Sequence, residues 1–376
     1  MRDELLKQAT RIVIKIGSSL VASRDTGLRP ERIERLADEI AALRSSGREV
    51  LIVSSGAIVS GIKKLGLKEY PKSLPVKQAA AAVGQSRLMW AYEKSFERLD
   101  VKVAQILLTH HDLADRRRFL NARHTLSALI GFGVIPIINE DDTGAVDEIR
   151  VGDNDTLAAE VAHLVDADLL IILSDIDGLF TEDPRKNPAA ALIPLIPDIT
   201  EEIEQRAGVS TTFEGTGGMA TKVGAAKKVS EYGVATLILN GQKAGLLPKV
   251  LAGGPGGSLF LAKERRFTSR KHWIAFTLRP RGSLTLDPGA VEALARRGKS
   301  LLASGILTVS GPFDTGDAVS CLDQDGKEFA KGLVNFSSDT LARIKGLKTT
   351  EIQQQLGPQE YEEVIHRDNL VILDQR

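Results

Sequence analysis

Acidic side chains are concentrated in one stretch of this chain of 376 residues. The stretch runs from residue 137 to residue 160 and includes Asp141, Asp142, Asp147, Glu148, Asp153 and Asp155. Closely packed carboxylates repel one another unless a cation or a hydrogen-bond donor lies among them. A substrate ammonium, a lysine or a metal ion would serve, whereas a solvated acidic loop would need no partner. The acids follow an apolar strand and precede a helix, where open α/β sheets bind ligands, so a binding site is favoured.

A glycine-rich segment at residues 215–222, Gly-Thr-Gly-Gly-Met-Ala-Thr-Lys, is the second candidate for chemistry. Glycines let backbone amides approach a phosphate closely, and the helix that follows directs its first amides to the same place. Lys222 adds a point charge for phosphate oxygens. The spacing differs from a Walker A motif, and such a segment alone could be a surface loop. Together with the polar strand ends described below, phosphate binding is the favoured interpretation.

Lys15 lies at the end of the first apolar strand, two residues before Gly17. A lysine within the pattern of a buried strand needs an anionic partner, because an unpaired buried charge is costly. A structural ion pair would meet this need. We favour a phosphate or a developing oxyanion as the partner.

Alternating strands and helices must position these residues. Apolar strands are predicted at residues 11–16, 50–53, 101–108, 134–138, 169–173 and 236–239, with helices between most of them. Such a pattern is typical of a mainly parallel sheet covered on both sides, so we predict a three-layer α/β/α sandwich. Polar residues follow four of these strands: Gly17-Ser18-Ser19, Ser54-Ser55-Gly56, Asn139-Glu140-Asp141-Asp142 and Ser174-Asp175. Because parallel strands end at the same edge, these segments should converge on one cleft.

The sequence pattern changes after the glycines at residues 253–257, which predict a hinge or a tight connection near a domain boundary. Beyond them, short β-like runs at 274–278, 283–286, 306–309 and 319–322 surround one helix at 290–297. We therefore predict a first domain at residues 1–262 and a small β-rich second domain at 271–365. Residues 261–300 carry ten Lys and Arg against three acids, which fits either a solvated junction or an anion- or RNA-binding surface.

The overall composition limits the classes of protein to which this chain can belong. The 49 basic and 49 acidic residues cancel, so no overall charge attracts nucleic acid or an anionic membrane. The single cysteine, Cys321, indicates a reducing compartment and is best interpreted as a small apolar core residue. The N-terminal residues lack the apolar segment of a signal peptide, and no apolar run is long enough to span a bilayer. We expect a cytoplasmic protein without membrane contact.

Several short motifs, taken in chain order, together resemble the glutamate 5-kinase family of the amino acid kinase superfamily. They are Lys15-Ile16-Gly17-Ser18-Ser19, Ser54-Ser55-Gly56-Ala57, Val83-Gly84-Gln85, Phe119-Leu120-Asn121-Ala122-Arg123, Ile138-Asn139-Glu140, Val151-Gly152-Asp153-Asn154-Asp155 and the segment 215–222. Further motifs are similar to a C-terminal PUA domain: Asp287-Pro288-Gly289-Ala290, Lys299-Ser300-Leu301-Leu302, Gly305-Ile306 and Gly316-Asp317. The resemblance covers essentially the whole chain and implies the amino acid kinase fold.

The resemblance implies an ATP-dependent phosphorylation of the side-chain carboxylate of L-glutamate, the first step of proline biosynthesis. Phosphoryl transfer depends mainly on positioning and on charge neutralisation, which agrees with the residues described above. The matched positions imply that Lys15 and Lys222 flank the transferred group and that Asp155 orients both lysines. The backbone amides of Gly17 and Gly56 are implied to contact the same phosphoryl group.

Two binding sites are implied as well. L-Glutamate would be held by Ser55, Asp142 and Asn154, of which Asp142 can accept from the ammonium group. ATP would be held by Lys15, Ser174, Asp175, Thr216, Gly217, Gly218, Met219, Ala220, Thr221 and Lys222. Mg²⁺ would bridge the phosphates of ATP and be held mainly by them and by water, with no protein ligand assigned. The resemblance also implies a homo-oligomer and proline as a feedback inhibitor.

The chain departs from the family pattern at Ser174 and at Asp141. Ser174 stands where the family usually has threonine, and the hydroxyl is retained. Asp141 replaces a common asparagine, and the added carboxylate could alter affinity for the substrate or inhibition by proline.

Two alternative functions stay open. Another amino acid kinase would act on aspartate, acetylglutamate or a nucleoside monophosphate, although the PUA-like motifs and residues 151–155 argue against it. An RNA-binding protein could use the kinase fold as a scaffold, which the basic segment and the PUA-like domain would suit. Retention of both lysines and of the glycine-rich segment favours the kinase.

Overall fold

The chain is described by a computed structural model. It describes residues 2–23, 25–143, 154–208, 218–263, 274, 278, 280–348, 351–352 and 362–373. The predictions for Asp147, Glu148, Asp153, Thr216 and Gly217, and for most of the strand at 274–278, lie outside these residues. The chain divides into two compact units, residues 1–265 and 266–376, and each encloses its own apolar core.

The strands of the first unit follow the apolar runs of the sequence. They are Arg11–Ile16 (β1), Ala22–Ser23 (β2), Gly27–Leu28 (β3), Glu49–Ser54 (β4), Val103–Leu108 (β5), Ile135–Glu140 (β6), Leu169–Ser174 (β7), Leu195–Ile196 (β8), Ala235–Asn240 (β9) and Ser258–Phe260 (β10). In the described residues, eight of them form one sheet in the order β5-β6-β4-β1-β7-β9-β10-β8. The pairs from β5 to β9 are parallel, whereas β10 runs antiparallel to β9. The predicted mainly parallel sheet is confirmed.

Helices cover both faces of this sheet. They are Arg2–Gln8 (α1), Ser18–Val21 (α2), Pro30–Ser45 (α3), Ala57–Leu65 (α4), Leu74–Glu97 (α5), His110–Ala114 (α6), Arg116–Gly131 (α7), Asn154–Leu164 (α8), Glu201–Ala207 (α9), Met219–Ser230 (α10) and Leu246–Leu251 (α11). α1, α3, α5 and α11 bury apolar side chains against one face in a continuous core. α8 and α10 pack together on β1, β7 and β9 from the opposite face. The result is the predicted three-layer sandwich.

Two glycines set the close packing of α4 against α5. A Cβ atom on Gly84 would lie 1.7 Å from the carbonyl oxygen of Ala57, and one on Gly61 would lie 1.7 Å from that of Ala80. Backbone therefore contacts backbone at this crossing, which no larger residue permits. The crossing holds α5 beside the turn that follows β4, where predicted site residues lie.

The glycines at residues 253–257 lie within the first unit. They connect α11 to β10, and β10 pairs with β9, so they form a tight connection and not a hinge between units. Gly256 and Gly257 have positive φ values of 140° and 70°, which suits glycine. The sequence missed β10 because three residues are too short for an apolar run.

The second unit is a small β-rich structure. Its described strands are Gly282–Leu286, Ile306–Ser310, Ala318–Leu322, Glu328–Leu333 and Leu370–Ile372, and its described α-helices are Pro288–Arg297 and Ser338–Ile344. The strands form a mixed sheet in which the first pairs parallel to the third. Asp287 caps the first helix by accepting from the amide of Ala290 at 2.7 Å. Cys321 is fully buried, and burial raises the pKa of its thiol to about 12, which agrees with a core residue.

Candidate active site

The register of the parallel strands brings the polar strand ends to one edge of the sheet. Ile16 pairs with Ser54 on one side and with Leu173 on the other, and Ser174 pairs with Asn240. The segments that follow β1, β4, β6 and β7 therefore lie next to one another, as the sequence predicts. α8 begins at this edge with Asn154 and Asp155.

Lys15 and Lys222 share one buried carboxylate. The Nζ atom of Lys15 lies 2.5 Å from Oδ1 of Asp155, and the Nζ atom of Lys222 lies 3.0 Å from Oδ2. The side chain of Asp155 is 0% exposed, and those of the two lysines are 8% and 6% exposed. These three buried side chains carry two positive formal charges and one negative formal charge. Such a cluster attracts a further anion strongly.

The protonation state of Asp155 follows from these neighbours. Burial alone would raise the pKa of this carboxyl group, but the charges and hydrogen bonds of Lys15 and Lys222 lower it below the ordinary value for aspartate. Asp155 is therefore ionised at neutral pH. The ion pair that the sequence left as an alternative for Lys15 is present, and Asp155 is also paired with Lys222.

The start of α10 is tied to the same carboxylate. The hydroxyl of Thr221 lies 2.9 Å from Oδ2 of Asp155 and 2.9 Å from the carbonyl oxygen of Gly218. Lys222 also donates to the carbonyl oxygen of Gly218 at 3.4 Å. These bonds fix the last part of the glycine-rich segment next to the lysine pair. Met219 and Ala220 are half-buried there, in the first turn of α10.

A chain of side-chain amides runs from α8 to α5. The Nδ2 atom of Asn154 lies 2.7 Å from Oγ of Ser55, 3.0 Å from Oδ1 of Asn139 and 3.3 Å from the carbonyl oxygen of Ser54, and its two hydrogens are shared among these three acceptors. The Nδ2 atom of Asn139 in turn donates to Oε1 of Gln85 at 2.9 Å. The predicted glutamate-binding residues Ser55 and Asn154 are thus brought into contact. We call Gln85, Asn139, Asn154 and Ser55 the amide chain.

Tyr92 supports the end of β4 from the same face of α5. Its hydroxyl lies 2.9 Å from the hydroxyl of Ser54, and both residues are buried. Burial raises the pKa of Tyr92 despite this hydrogen bond, so the phenol is neutral. The contact holds Ser54, whose carbonyl oxygen receives the amide of Asn154.

The two glycines predicted to contact the phosphoryl group have different local geometry. Gly56 has a φ of 110° immediately before α4, and a Cβ atom there would lie 2.8 Å from Cγ2 of Val21. The amide of Gly17 donates to the carbonyl oxygen of Leu173 at 3.2 Å. A contact from Gly17 to a phosphoryl oxygen would therefore require this bond to be shared or opened.

The end of β7 carries the predicted nucleotide-binding pair. The hydroxyl of Ser174 donates to Oδ1 of Asp175 at 3.1 Å. Nearby, Asp177 accepts from Lys243 at 2.6 Å and from Asn240 at 3.0 Å. The hydrogen bond from Lys243 is the main reason that the pKa of Asp177 lies below its usual value, and Asn240 adds to it against a smaller opposing effect of burial. This second polar group beside Ser174 was not predicted from the sequence.

The acidic loop after β6 borders a separate cleft. Asp141 accepts from the amide of Thr143 at 3.1 Å and from its hydroxyl at 2.5 Å, which closes a local turn. Asp142 is half-buried and lines a cleft of about 260 Å³ between α5, β5 and the loop. Gln85 and Gln105 line the same cleft. The amide chain therefore ends where this cleft begins.

Neither a cluster of metal-ligating side chains nor a membrane-spanning helix occurs among the described residues. In the part of the chain that the structure describes, no group of three His, Cys, Asp or Glu side chains is placed to hold a metal ion. Both oxygens of Asp155 already contact ammonium groups. Among the described helices, none is long and apolar enough to cross a bilayer.

Sequence reasoning assigned no individual function to Asn139, Gln85 or Tyr92. Asn139 could have been found, because a polar residue inside an apolar run at the carboxyl end of a strand points to a site. Gln85 and Tyr92 gave no such signal, since their contacts depend on how α5 crosses α4.

Comparison with known proteins assigns both units to families. A profile of the Amino acid kinase family matches residues 10–240, and a profile of the PUA domain matches residues 282–356. The first match covers more than half of the chain.

Two relatives match this chain over nearly its whole length. The glutamate 5-kinase of Geobacter sulfurreducens is 54% identical over 373 residues, which cover 99% of this chain and 100% of the relative. The glutamate 5-kinase of Moorella thermoacetica is 49% identical over 368 residues, or 98% of this chain and 97% of the relative.

A solved structure supports the fold alone. Carbamate kinase from Giardia lamblia bound to AMP-PNP is 17% identical and superposes with a TM-score of 0.50. The superposition covers 68% of this chain and 100% of that chain. The first unit therefore has the amino acid kinase fold.

Proposed function

The chain belongs to the glutamate 5-kinase group of the amino acid kinase family, and we propose that it transfers the γ-phosphate of ATP to the side-chain carboxylate of L-glutamate. The observation that carries this proposal is the pair of buried lysines on one buried aspartate at the carboxyl edge of the sheet. Two cations around one anion suit a reaction in which a highly charged phosphoryl group moves between two oxygens.

The lysine pair would act on the transferred group. Lys15 extends from the end of β1 and Lys222 from the first turns of α10, so they approach Asp155 from different elements. Asp155 would hold both ammonium groups in place before the phosphoryl group arrives, which avoids their rearrangement during the reaction. The lysines would then stabilise charge on the phosphoryl oxygens, while Asp155 would be a positioning residue.

The glutamate side of the site would be formed by Ser55, Asn154 and Asp142. The hydroxyl of Ser55 accepts from Asn154, so its own proton is available for a carboxylate oxygen. Asp142 would accept from the ammonium group of the substrate.

The nucleotide side would be formed by Ser174, Asp175 and residues 216–222. The tie between Thr221 and Asp155 would keep the glycine-rich segment next to the transferred phosphate. Mg²⁺ would neutralise charge on the phosphates and be held by their oxygens and by water, because the lysines already occupy both oxygens of Asp155.

Formation of γ-glutamyl hydroxamate tests the proposal. The purified protein should form this product from L-glutamate and hydroxylamine only when ATP is present, and the release of ADP should be compared with aspartate, acetylglutamate and nucleoside monophosphates as acceptors. If the protein phosphorylated one of those acceptors in preference to glutamate, that acceptor would be its substrate. Absence of transfer to every acceptor would reject the kinase assignment.

Regulation and assembly complete the proposal. A homo-oligomer and feedback inhibition by proline are carried over from the family resemblance, and a cytoplasmic location is carried over from the composition of the sequence. Light scattering would give the assembly, and the effect of proline on hydroxamate formation would test inhibition.

The PUA domain favours a second candidate function, which is binding of RNA. A gel shift with structured RNA at increasing salt concentration would test it, since phosphate contacts weaken as salt rises. Unchanged RNA mobility at low salt would exclude this function.

A further inference from the structure

The amide chain has only one consistent orientation. The carbonyl oxygen of Ser54 can only accept, so Asn154 must present its NH₂ group to it at 3.3 Å. The same NH₂ group then requires the oxygen of Asn139, which lies 3.0 Å away. Asn139 must therefore present its own NH₂ group to Gln85, whose oxygen accepts it at 2.9 Å.

This orientation decides what Gln85 offers to its surroundings. Its oxygen is used by Asn139, and its NH₂ group has no hydrogen-bond acceptor among the described residues. Gln85 is half-buried and lines the cleft that also contains Asp141 and Asp142. The NH₂ group of Gln85 is thus a donor held at the border of a cleft whose other polar groups include carboxylates.

Backbone packing fixes the position of this donor. Gly84 precedes Gln85 and lies directly against the carbonyl oxygen of Ala57, where a Cβ atom would be 1.7 Å away. Tyr92, seven residues further along α5 and so on the same face, bonds to Ser54. Gln85 is therefore held between a contact of α5 with the start of α4 and a contact of α5 with the end of β4.

The cleft has the groups that an α-amino acid requires. Asp141 and Asp142 suit an ammonium group, and the amide NH₂ of Gln85 suits a carboxylate. Asn154 and Asp155 are neighbours in sequence, so the amide chain connects this cleft to the lysine pair. An amino acid with a second carboxylate could place its α-carbon groups in the cleft and its side-chain carboxylate toward the lysines.

We propose that Gln85 is a specificity-determining residue that donates a hydrogen bond from Nε2 to the α-carboxylate of the amino acid substrate. This inference rests on the proposed function, since it assumes that the acceptor is an α-amino acid. Removal of the donor should weaken binding of substrates that carry an α-carboxylate and leave other acceptors unaffected.

The experiment compares L-glutamate with 4-aminobutyrate, which keeps the amine and the reacting carboxylate but lacks the α-carboxylate. Gln85→Glu retains an oxygen that can accept from Asn139 and loses the donor, and Gln85→Met removes the donor without adding charge. Both variants should raise the KM for glutamate about 10- to 100-fold, as expected for loss of a hydrogen bond to a charged group. The KM for ATP and the inhibition constant of 4-aminobutyrate should not change. Gln8→Glu, on the exposed surface of α1, is the matched control.

Each other outcome overturns the inference. An unchanged KM for glutamate in Gln85→Glu would show that the NH₂ group does not contact the substrate. Equal weakening of glutamate and 4-aminobutyrate would show a general structural effect. If the wild-type protein phosphorylated a different α-amino acid, the proposed function would fail, and an unchanged KM for that amino acid in Gln85→Glu would overturn the inference as well. If no α-amino acid were phosphorylated, both conclusions would fail.

Discussion

Lys15 and Asp155 form a buried ion pair, in which Nζ lies 2.5 Å from Oδ1, across the junction of β1 and α8. The pair is embedded in the sheet edge, with the aspartate side chain fully buried. Lys222 on the second oxygen makes this aspartate the common partner of two cations. The same buried ion pairs therefore contribute both to the stability of the fold and to the charge of the site.

Replacement of Asp155 by asparagine should lower both stability and activity. Asp155→Asn leaves two buried ammonium groups without their counterion, and removing one partner of a buried pair costs about 3–5 kcal/mol. The melting temperature should fall, and kcat should fall because the lysines lose their common anchor. Glu202→Gln is the control, since Glu202 pairs with Arg206 within α9, is 72% exposed and should contribute at most about 1 kcal/mol. Equal stability of the two variants would contradict the importance of the buried cluster.

Lys222 should act mainly on the transition state. Lys222→Met should lower kcat about 10²-fold or more, by analogy with loss of a preorganised donor that stabilises developing charge. Lys228→Met on the same helix removes an equal charge from a partly exposed position and should leave kcat unchanged. Steady-state kinetics in saturating ATP and glutamate would compare the two variants. A folded Lys222→Met enzyme with normal turnover would show that Lys222 does not take part in phosphoryl transfer.

Asp142 should affect glutamate more than ATP. Asp142→Asn removes a negative charge from the cleft and should raise the KM for glutamate about 10-fold or more, as for loss of a charged hydrogen bond. Asp198→Asn, at an exposed position before α9 and away from the cleft, is the matched control for the loss of one negative charge. Kinetics with either substrate varied would separate the effects. A larger rise in the KM for ATP would place Asp142 at the nucleotide site.

Gly84 and Gly224 should respond oppositely to the same change. A methyl group on Gly84 would lie 1.7 Å from the carbonyl oxygen of Ala57, whereas one on Gly224 would meet no atom within 4 Å. Gly84→Ala should therefore separate α4 from α5, with a cost of about 1–3 kcal/mol or more. Gly224→Ala, inside α10, should stabilise by about 0.5–1 kcal/mol because alanine favours the helix. Melting temperatures would test both, and a stable Gly84→Ala variant would contradict the close crossing.

The sequence predicted the sheet better than the site. Strands such as β1 and β7 are buried on both faces, so their apolar runs are directly visible, and parallel pairing then aligns their polar ends. The Ser54–Tyr92 contact and the donor orientation of Gln85 depend on the crossing of α4 and α5. That crossing is set by backbone contact at Gly61 and Gly84. The pattern of apolar residues in the sequence does not predict it.

The burial and the pairing of the charged side chains could not be predicted from the sequence pattern either. The family pattern suggested that Asp155 orients the lysines, but the pattern does not separate a buried carboxylate from an exposed one. Burial of Asp155 follows from packing of α8 against β1 and β4. The pairing of Asp177 with Lys243 and Asn240 was missed because it joins segments that follow β7 and β9.

Asp168 provides a stability test at the opposite edge of the sheet. One of its oxygens accepts from the amide of Thr10 at 2.9 Å, from the hydroxyl of Thr10 at 2.7 Å and from the amide of Arg11 at 2.8 Å. Burial opposes ionisation, but the hydrogen bonds from Arg11 and Thr10 lower the pKa of this carboxyl group below its ordinary value. Asp168 therefore favours the folded state only when it is ionised.

Because the pKa of Asp168 is lowered in the folded state, the loss of stability in the Asp168→Asn variant should depend on pH. The unfolded chain binds the proton more tightly, at a pKa of about 3.9, so the contribution of Asp168 is complete above that value. The contribution is lost as the pH falls from there through the lower pKa of the folded state. At pH 7 the variant should melt at a lower temperature than the wild type, and the difference should shrink below about pH 4. Melting curves between pH 3 and pH 7 would measure it, while hydroxamate formation at pH 7 should be unchanged because Asp168 lies away from the site. A melting difference that stays constant over this range would show that Asp168 acts through packing and not through its charge.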